Sequence, residues 1–368
     1  MLNQFFSLLR AGLWQTEPEA SLFDEATDWK AIYEMARRQA LLAVMLDGVD
    51  RLPDSLKPPR PIYLKWCANV LKTEDANRKL NKEVANLFSF LQANGVEPVL
   101  VKGQSLSRLY PEPTHRTCGD IDIYIGKKNY DKVSGLLSQE GSTIEKWSPK
   151  HIMFSWHGVT VENHRMLIRM FEPRADCNLQ KRIEQIAAER DFEIIDVGGC
   201  PVATVPPDFN APYILMHAVN HVLGVGVGLR QVCDWTLFLH RRHAELHWDS
   251  IRKMLEDTGI FGAWRIFGAL AVKYLGLPEE DLFIKLTDED YKEGDLLLQD
   301  LLYNGNFGFH GDMVVERPKG FWRQRLFNYR NYSRRRHRLR KLAPGEVTWG
   351  PLMSFVHFLQ ARYYMLRH

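Results

Sequence analysis

The sequence predicts an α+β fold: a small mixed β-sheet core flanked by N-terminal helices and a C-terminal helical bundle. Three observations carry this. Apolar residues recur at helical spacing through the first ninety or so residues. Short apolar and alternating runs replace that pattern between residues 97 and 205. Helical spacing returns after Pro206-Pro207. The 368-residue length suits several modules sharing a sizeable core. The expected regions are 1–75 (N-terminal helices), 76–205 (α/β core), 206–316 (helical domain) and 317–368 (a basic, partly helical segment).

In the first region, Phe5, Leu8, Leu9 and Leu13 share one helical face, as do Ile32, Met35, Ala36, Ala40 and Val44. The stretch LPDSLKPPRP (52–61) punctuates it. A long helix is expected from about Tyr63 to Asn94, where Asn94-Gly95 offers a C-cap. Then EPVLV (97–101) reads as a buried strand, and KGQS (102–105) opens a short helix. The loop PEPTHRTCG (111–119) leads into DIDIYI (120–125), a strictly alternating strand. A helix is expected over 129–139. HIMFSW (151–156) and VTVENH (159–164) form a hairpin across His157-Gly158. A second hairpin is expected in 192–205, turning at Gly198-Gly199. DFNAPYILMHAVNHVL and LRQVCDWTLFLHRRH open a run of helices reaching about Tyr303.

Charge is unevenly placed. Residues 317–368 hold thirteen basic residues against one acidic residue, Glu346, a net of +12; the preceding 316 hold 35 basic and 44 acidic, a net of −9. The tail mixes these arginines with aromatics, a pattern that suits nucleic acid or an anionic lipid surface. The favoured reading is instead an amphipathic helix paired to the acidic body. Five scattered cysteines without C-x-x-C spacing point to a reducing compartment and against a structural zinc site. The N-terminus lacks a basic n-region and a small-residue cleavage site, and no apolar run reaches membrane-spanning length. A cytoplasmic location is expected.

The chemistry concentrates in DIDIYI. Side chains alternate along a strand, so Asp120, Asp122 and Tyr124 share a face. Two carboxylates about 7 Å apart along one strand repel each other, and one is pushed toward protonation. A divalent cation relieves that conflict. Thr160, Glu162 and His164 share a face of VTVENH; if that strand neighbours DIDIYI, Glu162 becomes a third carboxylate. Three such groups suit metal-assisted attack on a phosphate. A helix start at Gly103–Ser105 would offer backbone N–H groups to a phosphate, with Lys102 and Arg116 adding charge. D-x-D alone more often marks a solvated strand face.

The run VLVKGQSLSRLYPEPTHRTCGDIDIYI resembles the polymerase-beta-type nucleotidyltransferase superfamily. More narrowly, the chain is similar to an uncharacterised bacterial nucleotidyltransferase family, through Lys102-Gly103, Tyr110-Pro111, Arg116, Gly119-Asp120-Ile121-Asp122 and Glu162-Asn163-His164. The likeness extends to GVGLRQVCDW (226–235) and GNFG (305–308). It implies Mg²⁺ dependence, with Mn²⁺ as the alternative, and transfer of a nucleoside monophosphate from an NTP, ATP foremost, to an unidentified hydroxyl acceptor. It assigns Asp120 and Asp122 to the metal and Glu162 to metal or base duty. Lys102, Gly103, Ser105, Arg116, Arg230 and Asp234 become candidate substrate-binding residues. The turn here is Gly103-Gln104-Ser105, where the superfamily has Gly-Ser.

Two pairs remain. His217 and His221 stand at i, i+4, a zinc-like spacing, but Ala218 follows the first, so packing histidines are the expectation. Arg230 and Asp234 are also i, i+4; they form either a surface ion pair or, beside Gly224, Gly226 and Gly228, a phosphate contact and its orienting partner. An RNA-directed transferase using the tail and an inactive fold serving as a binding module are the alternative functions.

Overall fold

The computed structural model describes residues 1–140, 142–147, 151–224, 226–304 and 320–367. The GNFG stretch at 305–308 lies outside them, as do the side chains of the tail residues Phe321, Trp322, Tyr329 and Tyr332. The architecture is α+β. Helices α1 (Leu2–Trp14), α2 (Trp29–Arg38), α3 (Leu42–Asp50) and α4 (Arg60–Ala93) come first. The apolar spacing that runs from Ile32 through Val44 does not make one helix. Ala40 takes a left-handed conformation (φ 56°) and separates α2 from α3.

Then follow β1 (Val99–Leu100), α5 (Gly103–Ser107), β2 (Ile121–Tyr124), α6 (Gly126–Gln139), β3 (Thr143–Trp147), β4 (His151–Trp156), β5 (Val159–His164), α7 (Pro173–Glu189), β6 (Glu193–Val197) and β7 (Cys200–Thr204). The sheet order is β3-β4-β5-β2-β1-β7-β6, with β2–β5 and β1–β7 parallel and the other pairs antiparallel. Strand β3 and helix α7 were not expected from the sequence. Strand β1 keeps only two residues of the 97–101 run, because Lys102 turns to φ 58° and ends it.

One face of the sheet is apolar. Leu100, Ile121, Ile123, Phe154 and Val161 pack there on Val84, Leu87 and Phe88 of α4 and Val133 and Leu137 of α6. The other face turns toward the C-terminal helices: α8 (Pro207–Leu223), α9 (Leu229–Arg242), α10 (Trp248–Thr258), α11 (Phe261–Leu270) and α12 (Asp288–Asn304). Their core is continuous with that of α1–α3. Helices α1 and α3 cross almost backbone to backbone. A Cβ at Gly12 would strike the Val44 carbonyl, and one at Gly48 the Leu8 carbonyl. No helix among the described residues is long and apolar enough to cross a membrane.

The basic segment forms α13 (Phe321–Arg338) and α14 (Pro344–Arg367). Arg335 and Arg338 both engage Asp300 of α12, which is fully buried. Arg336 Nε donates to the Leu223 carbonyl (3.2 Å) at the end of α8. Glu346 accepts from the backbone N–H groups of Phe171 (2.7 Å) and Glu172 (2.9 Å), ahead of α7. These contacts tie the start of α14 and the end of α13 to the body, with Arg335 and Arg338 paired to its acidic side.

Candidate active site

Parallel pairing of β2 with β5 sets Asp122 directly opposite Glu162, and Tyr124 opposite His164. Antiparallel pairing of β5 with β4 sets His164 opposite His151. Four ionisable side chains from three adjacent strands therefore share the face away from α4 and α6. Two-residue alternation does this work.

Asp122 is the buried centre. Its Oδ1 lies 2.9 Å from Lys102 Nζ and 2.6 Å from His164 Nε2. His164 Nε2 also lies 3.4 Å from Glu162 Oε2. An atom placed between two carboxylate oxygens must carry the proton, so Nε2 of His164 is the protonated nitrogen. Burial opposes charge on Asp122, but Lys102 and His164 outweigh it and hold the carboxyl well below its ordinary range. Burial also opposes charge on His164, but its bonds to Asp122 and Glu162 raise it. Glu162 is lowered, its bond to His164 prevailing over burial.

Asp120 precedes the strand. Burial, then the neighbouring Asp122, push its carboxyl up to about 6. The crowding expected of D-x-D thus falls on Asp120, while Lys102 takes the charge of Asp122.

The loop carrying Asp120 is pinned from three sides. Asn77 of α4 donates to the carbonyls of Thr114 (2.6 Å) and Arg116 (2.8 Å). His115 lies between Asp47 (2.9 Å) and Glu74 (3.2 Å). Arg116 is buried and donates twice to Asp234 of α9, at 2.7 and 2.8 Å, and Tyr110 Oη donates to the same carboxylate at 2.7 Å. Arg116 therefore braces the loop from inside. Asp234 pairs with Arg116 and not with Arg230 four residues away, because Arg230 reaches the Thr117 carbonyl instead. Arg230 remains beside Asp120, and its buried Nε has no hydrogen-bond partner among the described residues.

Helix α5 has only five residues, and both the backbone N–H and the Oγ of Ser105 donate to the Lys102 carbonyl (2.8 and 2.7 Å). Ser105 is buried and serves the turn. Gly103 takes a positive φ of 40° in that turn, a conformation that favours glycine, beside the Asp120 carbonyl.

Helix α8 covers the site from the opposite side. Tyr213 and His217 lie one turn apart and feel the charges of Lys102 and Asp122. Burial, then Lys102, keeps the His217 imidazole neutral well below its ordinary value. The His217 and His221 rings meet edge to face, with centroids 4.5 Å apart. Sequence reasoning assigned no role to His151, His164 or Tyr213; the alternation that placed His164 beside Glu162 was the available signal. A cleft of about 1530 Å³ opens farther along the same sheet face, between Val99, Tyr124, Arg165, Ile183, Phe192 and Ala203. None of the carboxylates lines it. Lys102, Asp120, Asp122 and Glu162 nonetheless mark the chemistry better, since that is where charge converges.

The carboxylates fit a divalent cation. Three lie close enough to interact electrostatically, offset among the described residues by the Lys102 ammonium, the His164 imidazolium and the Arg230 guanidinium. The orphaned donor of Arg230 beside Asp120 suits an anionic ligand.

The pattern of a family described as uncharacterised nucleotidyltransferase matches residues 25–276. No curated protein matches the chain. Among solved structures, an antigenic nucleotidyltransferase-like protein from Paracoccidioides brasiliensis is similar at 14% identity and a TM-score of 0.34, covering 56% of this chain and 94% of that one. That likeness is too distant to carry an argument.

Proposed function

We propose, for a chain that belongs to the uncharacterised nucleotidyltransferase family, that it transfers a nucleoside monophosphate from an NTP to a hydroxyl acceptor. The observation that carries this is the side-by-side placement of Asp122 and Glu162 on parallel strands, with Asp120 at their head. Asp120, Asp122 and Glu162 would hold Mg²⁺, or Mn²⁺, which supplies neutralising charge for the triphosphate. Lys102 and His164 fix the Asp122 carboxylate in one orientation. Arg230 directs its unpartnered N–H toward phosphate oxygen. In the transfer, the acceptor oxygen bonds to the α-phosphorus, the bond to the β-phosphate bridging oxygen breaks, and pyrophosphate leaves. Glu162 takes the hydroxyl proton.

ATP is the first nucleotide to test. The chain is mixed with each of the four labelled NTPs and Mg²⁺, and both binding and pyrophosphate release are followed. Asp120→Asn/Asp122→Asn should abolish release while keeping the far-UV circular dichroism spectrum. Failure of the folded wild type to bind any of the four would overturn the proposal.

A further inference from the structure

We propose that His151, Glu162 and His164 form a second, nitrogen-rich metal site that takes a transition-metal ion of the Zn²⁺ class. It shares Glu162 with the reaction above but does not depend on nucleotidyl transfer.

The register builds the site. His151 and His164 are opposite one another on β4 and β5, and Glu162 lies two residues before His164 on the same face. The two imidazole rings have centroids 5.4 Å apart and planes inclined by 57°. The Glu162 carboxylate bridges them. Its Oε1 is 3.8 Å from His151 Nε2, and its Oε2 is 3.4 Å from His164 Nε2. One donor atom from each residue lies within 4.8 Å of the other two. A tetrahedral ion with bonds of about 2.0–2.1 Å holds its ligand atoms roughly 3.3 Å apart. The edge from Glu162 Oε2 to His164 Nε2 is therefore near its final length, and every other edge of the set is within 4.8 Å. The two edges to His151 close by side-chain rotation, with the strands left in place.

The donor set selects the metal. Mg²⁺ prefers oxygen ligands in octahedral array and gives up its water reluctantly. Two imidazoles and one carboxylate suit Zn²⁺, Co²⁺ and neighbouring ions. Three protein ligands leave a fourth position open, as reactive zinc sites do. His164 Nε2 now donates to Asp122; to ligate, it must release its proton to solvent and offer the lone pair. Asp122 then keeps Lys102 as its partner at 2.9 Å. The carboxylate charge of Glu162 is neutralised by the ion.

The opposing view is that these groups are only a hydrogen-bonded brace for Asp122. Metal titration of the intact, EDTA-stripped chain separates the two. In excess Mg²⁺, Zn²⁺ should bind at one ion per chain by calorimetry. Co²⁺ should give the intense visible absorption of a four-coordinate ion. His151→Ala and Glu162→Gln should each weaken Zn²⁺ by about 100-fold or more, since even partners behind a ligand are worth roughly 10–100-fold. Asp120→Asn should leave Zn²⁺ affinity intact. Zn²⁺ that fails to bind the wild type, a weak six-coordinate Co²⁺ spectrum, or unchanged affinity in a folded His151→Ala protein would each overturn the site. Absence of NTP turnover in a chain that binds Zn²⁺ counts against nucleotidyl transfer alone.

Discussion

Arg116 and Asp234, 118 residues apart in sequence, are joined by two parallel hydrogen bonds of 2.7 and 2.8 Å inside the protein. The pair ties the loop that delivers Asp120 to helix α9, and Tyr110 adds a third donor to the same carboxylate. Removing one partner strands a buried charge, which costs about 3–5 kcal/mol. Asp234→Ala should lower unfolding free energy in urea by that amount. A loss below about 1 kcal/mol would mean the pair is dispensable.

Among the described residues, Lys102 is the one ammonium bonded to Asp122. Lys102→Met should leave the carboxylates without that compensation. The variant should melt at a lower temperature than wild type in EDTA, and added Mg²⁺ should recover more of its stability than it adds to wild type. Equal Mg²⁺ effects on the two melting temperatures would contradict this role for Lys102.

His115 gives a pH signature away from the carboxylate site. Burial disfavours its charge, but Asp47 and Glu74 outweigh burial and raise it above its ordinary 6.5. A raised histidine stabilises the fold fully below that ordinary value, and the contribution fades as pH rises through the folded value. Wild type should therefore lose stability relative to His115→Gln as the pH rises above about 6.5. Parallel stability curves for the two proteins across that window would refute the assignment.

Gly48 sits where α3 meets the Leu8 carbonyl of α1. Gly48→Ala should force the helices apart and destabilise by about 1–3 kcal/mol or more, despite the better helix propensity of alanine. Thermal unfolding measures this directly. A stabilised variant would show that the two backbones do not approach so closely.

Much of the core was legible because local rules governed it. DIDIYI alternates strictly, the His157-Gly158 turn announces its hairpin, and Pro206-Pro207 marks the return to helix at α8. Helix α7 was missed although Leu179, Ile183 and Ile186 mark its buried stripe and Pro173 opens it. The pairings within the site were out of reach for another reason. Arg116 with Asp234, Lys102 with Asp122 and His151 with Glu162 are choices among partners distant in sequence. A preference for i, i+4 neighbours pointed Asp234 toward Arg230, whereas tertiary packing gave it Arg116.

The His157-Gly158 turn, with both residues at positive φ (47° and 72°), sets the phase of everything downstream in β5. Strand alternation is binary, so inserting or deleting a single residue between Trp156 and Glu162 without a compensating bulge would rotate the strand by half a period. Val161 and Asn163 would then face α8, and Glu162 and His164 would be driven into the apolar layer against α4 and α6. Length variation is therefore least affordable at this exposed turn, where solvent contact alone would suggest the most freedom.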